Sequence, residues 1–175
     1  MTRLIAVAVA VVVGATGICR ADDVRPVAAA GADRALRAVL YEEDPTTNGT
    51  QFVGSAVWYT DNVASAPGQP PEIIVRADIE IPDPGMTVTL DLRRNDDKSL
   101  RASHVVEIVF TLPPDFPHGE ISNVPGILMK ESETARGDSL KGVTVKVTNN
   151  FFLFGLSSVG ADRQRNCRIL PACCG

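Results

Sequence analysis

Aromatic side chains are scarce in this 175-residue chain, which has one Trp, two Tyr and six Phe. Histidine is scarcer still. His104 and His118 are its two copies, so a His-rich metal centre cannot be built, and no Cys/His spacing follows a recognised zinc pattern. Cysteine is confined to the ends, at Cys19, Cys167, Cys173 and Cys174, and no disulfide framework staples the middle of the chain. Gly126 and Gly137 are isolated and make no phosphate-cradling loop. G-x-S-x-G is missing, and so is any Cys–His signature that would mark a nucleophile. Positive charge is in deficit, with 17 Lys+Arg against 21 Asp+Glu, a net charge of −4. An acidic surface without a basic, aromatic-rich stripe repels a phosphate backbone, which excludes nucleic acid as a partner.

What is present begins with an apolar N-terminus. Residues 1–21 read MTRLIAVAVAVVVGATGICRA, with Arg3 as the positive lead and Leu4–Val13 as an unbroken apolar run. Cys19-Arg20-Ala21 places small residues three and one before a cut at Asp22. This is the layout of a signal peptide, and the run falls short of the roughly 18–20 residues of a spanning helix. Membrane attachment follows only if the segment is retained. Cleavage removes Arg3 and Arg20, so the 17 basic residues become 15 against 21 acidic, a net charge of −6. Export makes the expected location extracytoplasmic, either periplasmic or secreted.

Apolar residues form 45% of the chain and charged ones 22%, enough for one packed domain. Residues 22–35 are small and Ala-rich and read as a linker. From 36 to 166 the pattern is β, with no helix-period stretch of useful length. Ile73, Val75, Ala77, Ile79 and Ile81 share one face of a strand, with Arg76, Asp78 and Glu80 on the other. Val88, Leu90 and Leu92 repeat the alternation, and so do Val106, Ile108, Phe110 and Leu112. Pro82-Asp83-Pro84-Gly85 and Asn95-Asp96-Asp97-Lys98 separate these strands, predicting an antiparallel meander with one solvated side. Phe52 and Trp58 fall on one face of an earlier strand. Further on, 126–130 predicts a short strand and 131–140 a loop. Val143, Val145 and Val147 alternate up to a tight turn at Asn149-Asn150, and Phe151–Leu156 returns as an apolar strand. On it, Phe152 and Phe154 oppose Phe151 and Leu153. The whole predicts an all-β domain, an antiparallel β-sandwich or partly open barrel of about eight short strands. A Cys-containing tail, 167–175, follows it.

The segments RAVLYEEDP (37–45), SHVVEIVFTLPPDF (103–116), NVPGILMK (123–130), ARG (135–137) and FFLFGLS (151–157) resemble a family of bacterial extracytoplasmic β-domain proteins with no established activity. The resemblance covers most of 37–166 and implies a single secreted or envelope-anchored β domain. It carries no cofactor and no catalytic residue. Such proteins continue past the region of Asn166 into another apolar, aromatic-containing strand, whereas this chain reads NCRILPACCG. The resemblance therefore implies a sheet without its closing strand, leaving an exposed edge.

The loop DFPHGE gathers the three metal-ligand candidates, Asp115, His118 and Glu120, whose oxygen and nitrogen atoms suit a cation. The alternative for the same residues is a solvated turn. Cys167 with Cys173 and Cys174, spaced C-x5-C-C, is a second metal candidate without a standard precedent. His104 opens a strand and Ser157-Ser158 closes one, with nothing in the sequence to bring them together. The acidic groups Glu42-Glu43-Asp44, Asp96-Asp97 and Glu131/Glu133 fall in turns, where they serve solubility. Arg93-Arg94 reads as a solvated hairpin end. No cofactor is expected. The functional expectation is a non-catalytic β module that binds an envelope protein or a surface component. The alternatives are an envelope hydrolase with a loop-built site at Asp115, His118 and Glu120, and a shortened copy without function.

Overall fold

A computed structural model describes residues 35–43, 49–63, 71–130, 132 and 134–170. The expected signal segment 1–21, nearly all of the linker 22–35, and residues 171–175 with Cys173 and Cys174 lie outside the described residues. The protein is all-β. Its strands are β1 (Leu36–Glu42), β2 (Thr50–Val63), β3 (Glu72–Ile81), β4 (Met86–Arg94), β5 (Ala102–Thr111), β6 (Leu128–Met129), β7 (Asp138–Ser139), β8 (Gly142–Thr148) and β9 (Phe151–Ser157). Among the described residues, seven of them form one antiparallel sheet in the order β1-β2-β3-β4-β5-β9-β8. The sheet curls into a half-barrel, which selects the partly open barrel over two stacked sheets. The β6–β7 pair is a separate two-stranded ribbon.

Period-two alternation decides which face is inward. Ala38 and Leu40, Ala56, Ile79 and Ile81, Met86 and Val88, Val106, Ile108 and Phe110, and Phe152, Phe154 and Leu156 line the concave side as one buried cluster. Phe110 and Phe152 meet edge to face at 5.9 Å between ring centroids, a favoured aromatic geometry. Phe52 and Trp58 pack against this cluster, in agreement with their shared parity. The mouth of the half-barrel is filled by the segment after β5, whose Ile121, Val124, Ile127, Met129 and Leu140 join the core.

β2, at 14 residues, has to bend along the curl. Gly54 lets β2 approach β3 closely. A Cβ there would stand 1.9 Å from the Glu80 carbonyl oxygen and 2.7 Å from Cδ1 of Ile81, so no side chain fits where β2 leans on β3.

Three expectations need correction. Ile73 is 68% exposed and Ile74 is buried in its place. The core cluster takes Ile79 and Ile81 from β3, so the other end of the strand lies beyond its reach and parity no longer decides burial there. The loop expected at 131–140 contains β7, which pairs Ser139 with Leu128 and Asp138 with Met129. A helix, α1 (Gly160–Ile169), runs where none was expected and crosses the boundary set at 166/167. It has no apolar stripe for periodicity to detect. Asp162 in its first turn and Arg168 in its last suit the helix dipole, and Ser157 Oγ donates to Asp162 Oδ2 at 2.9 Å.

Candidate functional site

The loop after β5 places Asp115, His118 and Glu120 in three different surroundings. Asp115 is exposed. His118 Nε2 lies 3.3 Å from Glu42 Oε1 on β1, and its ring stands edge-on to Phe116, which is buried. Glu120 accepts from Lys146 Nζ on β8 at 3.1 Å. Among the described residues no three His, Cys, Asp or Glu side chains gather as a metal site. The loop is a clasp: β1 and β8 are the two ends of the strand order, and His118 and Glu120 reach one each. Phe116 and Ile121 anchor it from below.

Asn150 fixes the clasp to the sheet. It holds φ 62°, a left-handed conformation that Asn tolerates, in the turn expected at Asn149-Asn150. Its Oδ1 accepts from Ile121 N and its carbonyl from Phe110 N, both at 2.8 Å.

The two edges differ. On β1, Ala38, Val39 and Leu40 are all buried, at 1–3% exposure. On β8, Val143 is 71% exposed and Val145 56%. The hydrogen-bond direction of β8 follows from one bond. Ser157 N donates to the Lys141 carbonyl at 2.9 Å, so Lys141 turns its carbonyl toward β9. With Val143 opposite Gly155 and Val145 opposite Leu153, alternation directs their N–H and C=O groups toward β9. The N–H and C=O groups of Gly142, Thr144 and Lys146 therefore point away from β9, out of the sheet edge. Beside them, on the convex face, the register sets Val145 next to Leu153 and brings Phe151 opposite Val109, which is exposed. An apolar strip thus borders an open row of backbone donors and acceptors.

Elsewhere the convex face carries cross-strand polar pairs. Arg76 makes a two-pronged contact with Asp91, at 2.6 and 2.7 Å, and reaches Asp61 at 3.2 Å. The Asp91 bond holds the guanidinium well above its ordinary pKa, against the opposing effect of burial. Tyr59 Oη donates to Asp78 at 2.7 Å, which raises its phenol pKa. Arg93 pairs with Glu107 through Nε at 3.0 Å. Arg93 and Arg94 are exposed at this hairpin end, and Arg93 is also a cross-strand partner. Asp97 titrates below its usual value because Ser99 donates to it from hydroxyl and backbone.

At the opposite end of the half-barrel from the clasp, α1 lies against β9. Asn166 is buried and joins Lys141, the residue just before β8, through both arms of its amide. Its Nδ2 donates to the Lys141 carbonyl, and Lys141 N donates to its Oδ1, each at 2.8 Å. His104 is also buried at this end, with no hydrogen-bond partner at Nδ1. Burial, with Arg94 and Arg163 nearby, pushes its pKa below the usual imidazole value, and Glu72 opposes this. Ser157 Oγ is committed to Asp162 and to Val159 N. Asn166 and the β8 edge carry no residue-type signature, and pairing direction is the one signal that exposes the second of them.

No protein-family model, curated protein or solved structure matches the chain. Among the described residues no helix is long and apolar enough to cross a membrane.

Proposed function

We propose that the chain is an extracytoplasmic, non-catalytic binding module that takes an extended segment of an envelope protein onto β8. The supporting observation is the open edge. Three consecutive outward-facing residues, Gly142, Thr144 and Lys146, offer backbone donors and acceptors beside exposed Val143 and Val145. Strand addition uses this combination, with main-chain hydrogen bonds for affinity and alternate side chains for selectivity. The location rests on the layout of residues 1–21 and on the resemblance noted for 37–166.

Extended peptides alternating Val and Thr, seven residues long to match β8, test the reading. Hydrogen exchange at the Thr144 and Lys146 amides should slow when a peptide binds, while the already bonded Val143 and Val145 amides change little. With the chain diluted to its monomer, unchanged exchange at Thr144 and Lys146 across the peptide set overturns strand addition. Intact-mass measurement of the exported product, expected to begin at Asp22, tests the location.

A further inference from the structure

We propose that the occupant of the β8 edge is β8 of a second copy, paired antiparallel about a two-fold axis at Thr144. This names the partner for the strand-addition surface and rests on that reading. A register centred on Thr144 sets Thr144 against itself, Gly142 against Lys146 and Val143 against Val145. All three outward-facing residues of each strand then exchange N–H and C=O with the other, so the row is satisfied without remainder. On the convex face the Val143–Val145 contact occurs twice, covering two of the most exposed valines among the described residues.

Charge favours the same register. Lys146 is the one charged residue of β8, it lies on the face of Phe152 and Thr144, and Glu120 of its own chain neutralises it. Pairing centred on Lys146 would oppose two ammonium groups. Pairing centred on Thr144 places each Lys146 opposite Gly142, which has no side chain to crowd the Lys146–Glu120 contact. No like charges face one another anywhere in the strand.

Geometry also limits the assembly to two. Head-to-tail growth would need β8 of one copy to add to β1 of the next, but Ala38, Val39 and Leu40 of β1 are buried. Edge-to-edge pairing of identical strands is isologous and closes on itself. β8 contains no proline, and its two edge-blunting features, the inward-facing Lys146 and the register shift between Lys146 and Thr148, lie at its C-terminal end, leaving Gly142 to Val145 unguarded.

The experiment is sedimentation and light scattering of the purified chain over a rising concentration series, with three changes at β8. The wild type should pass from monomer to dimer and no further. Thr144→Pro removes one outward N–H without touching the β9 ladder and should abolish the dimer. Val145→Lys sets a charge into the covered valine contact and should do the same, which keeps the test intact if the proline variant fails to fold. Oxidising a mixture of Val143→Cys and Val145→Cys chains should yield the mixed 143–145 disulfide, read by peptide mass, in excess over either like pair. A dimer that survives both Thr144→Pro and Val145→Lys, or a like-pair disulfide in excess, overturns the proposal. A wild type that stays monomeric yet still binds the extended peptides overturns the second copy as occupant and leaves strand addition standing. A monomer that binds no peptide overturns both.

Discussion

Three asparagines do work that no aliphatic side chain could. Asn95 donates to the carbonyls of Asp97, Leu100 and Ala102 at 3.0, 3.3 and 2.9 Å and closes the β4–β5 connection. Asn150 ties the clasp to the turn, and Asn166 ends β8 by imitating a neighbouring strand. An amide side chain carries one acceptor and two donors, so it can replace a peptide group at the end of a ladder. Asn166→Ala leaves the Lys141 N–H without its partner and removes one donor from the Lys141 carbonyl. We expect a loss of about 2 kcal/mol in denaturant unfolding, the cost of orphaning buried polar groups. Asn166→Asp sets a carboxylate oxygen against the Lys141 carbonyl in a buried site and should lose at least as much. Asn150 was readable in the sequence because a left-handed turn has few tolerant residues. Asn166 was not, because its partner Lys141 lies 25 positions away and adjacency alone connects them.

The meander of β3, β4 and β5 was legible from parity because one face is buried and the other wet along most of its length. Parity failed at Ile73 and Ile74, where the core does not reach. α1 was invisible for a related reason: its sequence GADRQRNCRI buries Asn166 and no apolar stripe. Periodicity reports burial, so an element placed by caps and polar bonds escapes it. The close approach of β2 to β3 was likewise hidden, since a glycine at such a place looks like any other glycine. Gly54→Ala must displace both the Glu80 carbonyl and the end of the Ile81 side chain, and overpacking of this kind costs about 1–3 kcal/mol. We expect a lower unfolding midpoint with an unchanged denaturant slope. A variant as stable as the wild type would mean that β2 and β3 can part there at no cost.

At the scale of the whole molecule, the sequence showed an all-β chain and left sandwich against open barrel undecided, because curl depends on close approaches between strands and not on alternation. The candidate site was less legible. Asp115, His118 and Glu120 were chosen for their chemistry, yet His118 and Glu120 serve to join the sheet's edges. Stability of the folded domain should carry a mark of His104. Its native pKa is lowered, first by burial and then by Arg94 and Arg163, with Glu72 opposing, whereas the unfolded imidazole titrates near 6.5. Below about pH 6.5 the unfolded chain binds a proton that the native one refuses, so stability falls as pH drops from there to the native pKa. Above that window His104 is neutral in both states and contributes no slope. Denaturant midpoints measured against pH should show this decline, and His104→Leu should flatten it.

The clasp has a kinetic consequence. Glu42 and Lys146 belong to opposite ends of the strand order, and His118 and Glu120 can hold them only when every strand between is in place. The clasp is therefore the most non-local joint in the domain. Its loop entropy falls due before it returns any binding energy, which delays its formation until after the meander and the β8–β9 hairpin have met. Run backwards, the same order makes it a gate on unravelling. An open sheet sheds strands from its edges, and here the loop bearing Phe116 and Ile121 holds one contact to each edge strand, so lifting it should speed the loss of either.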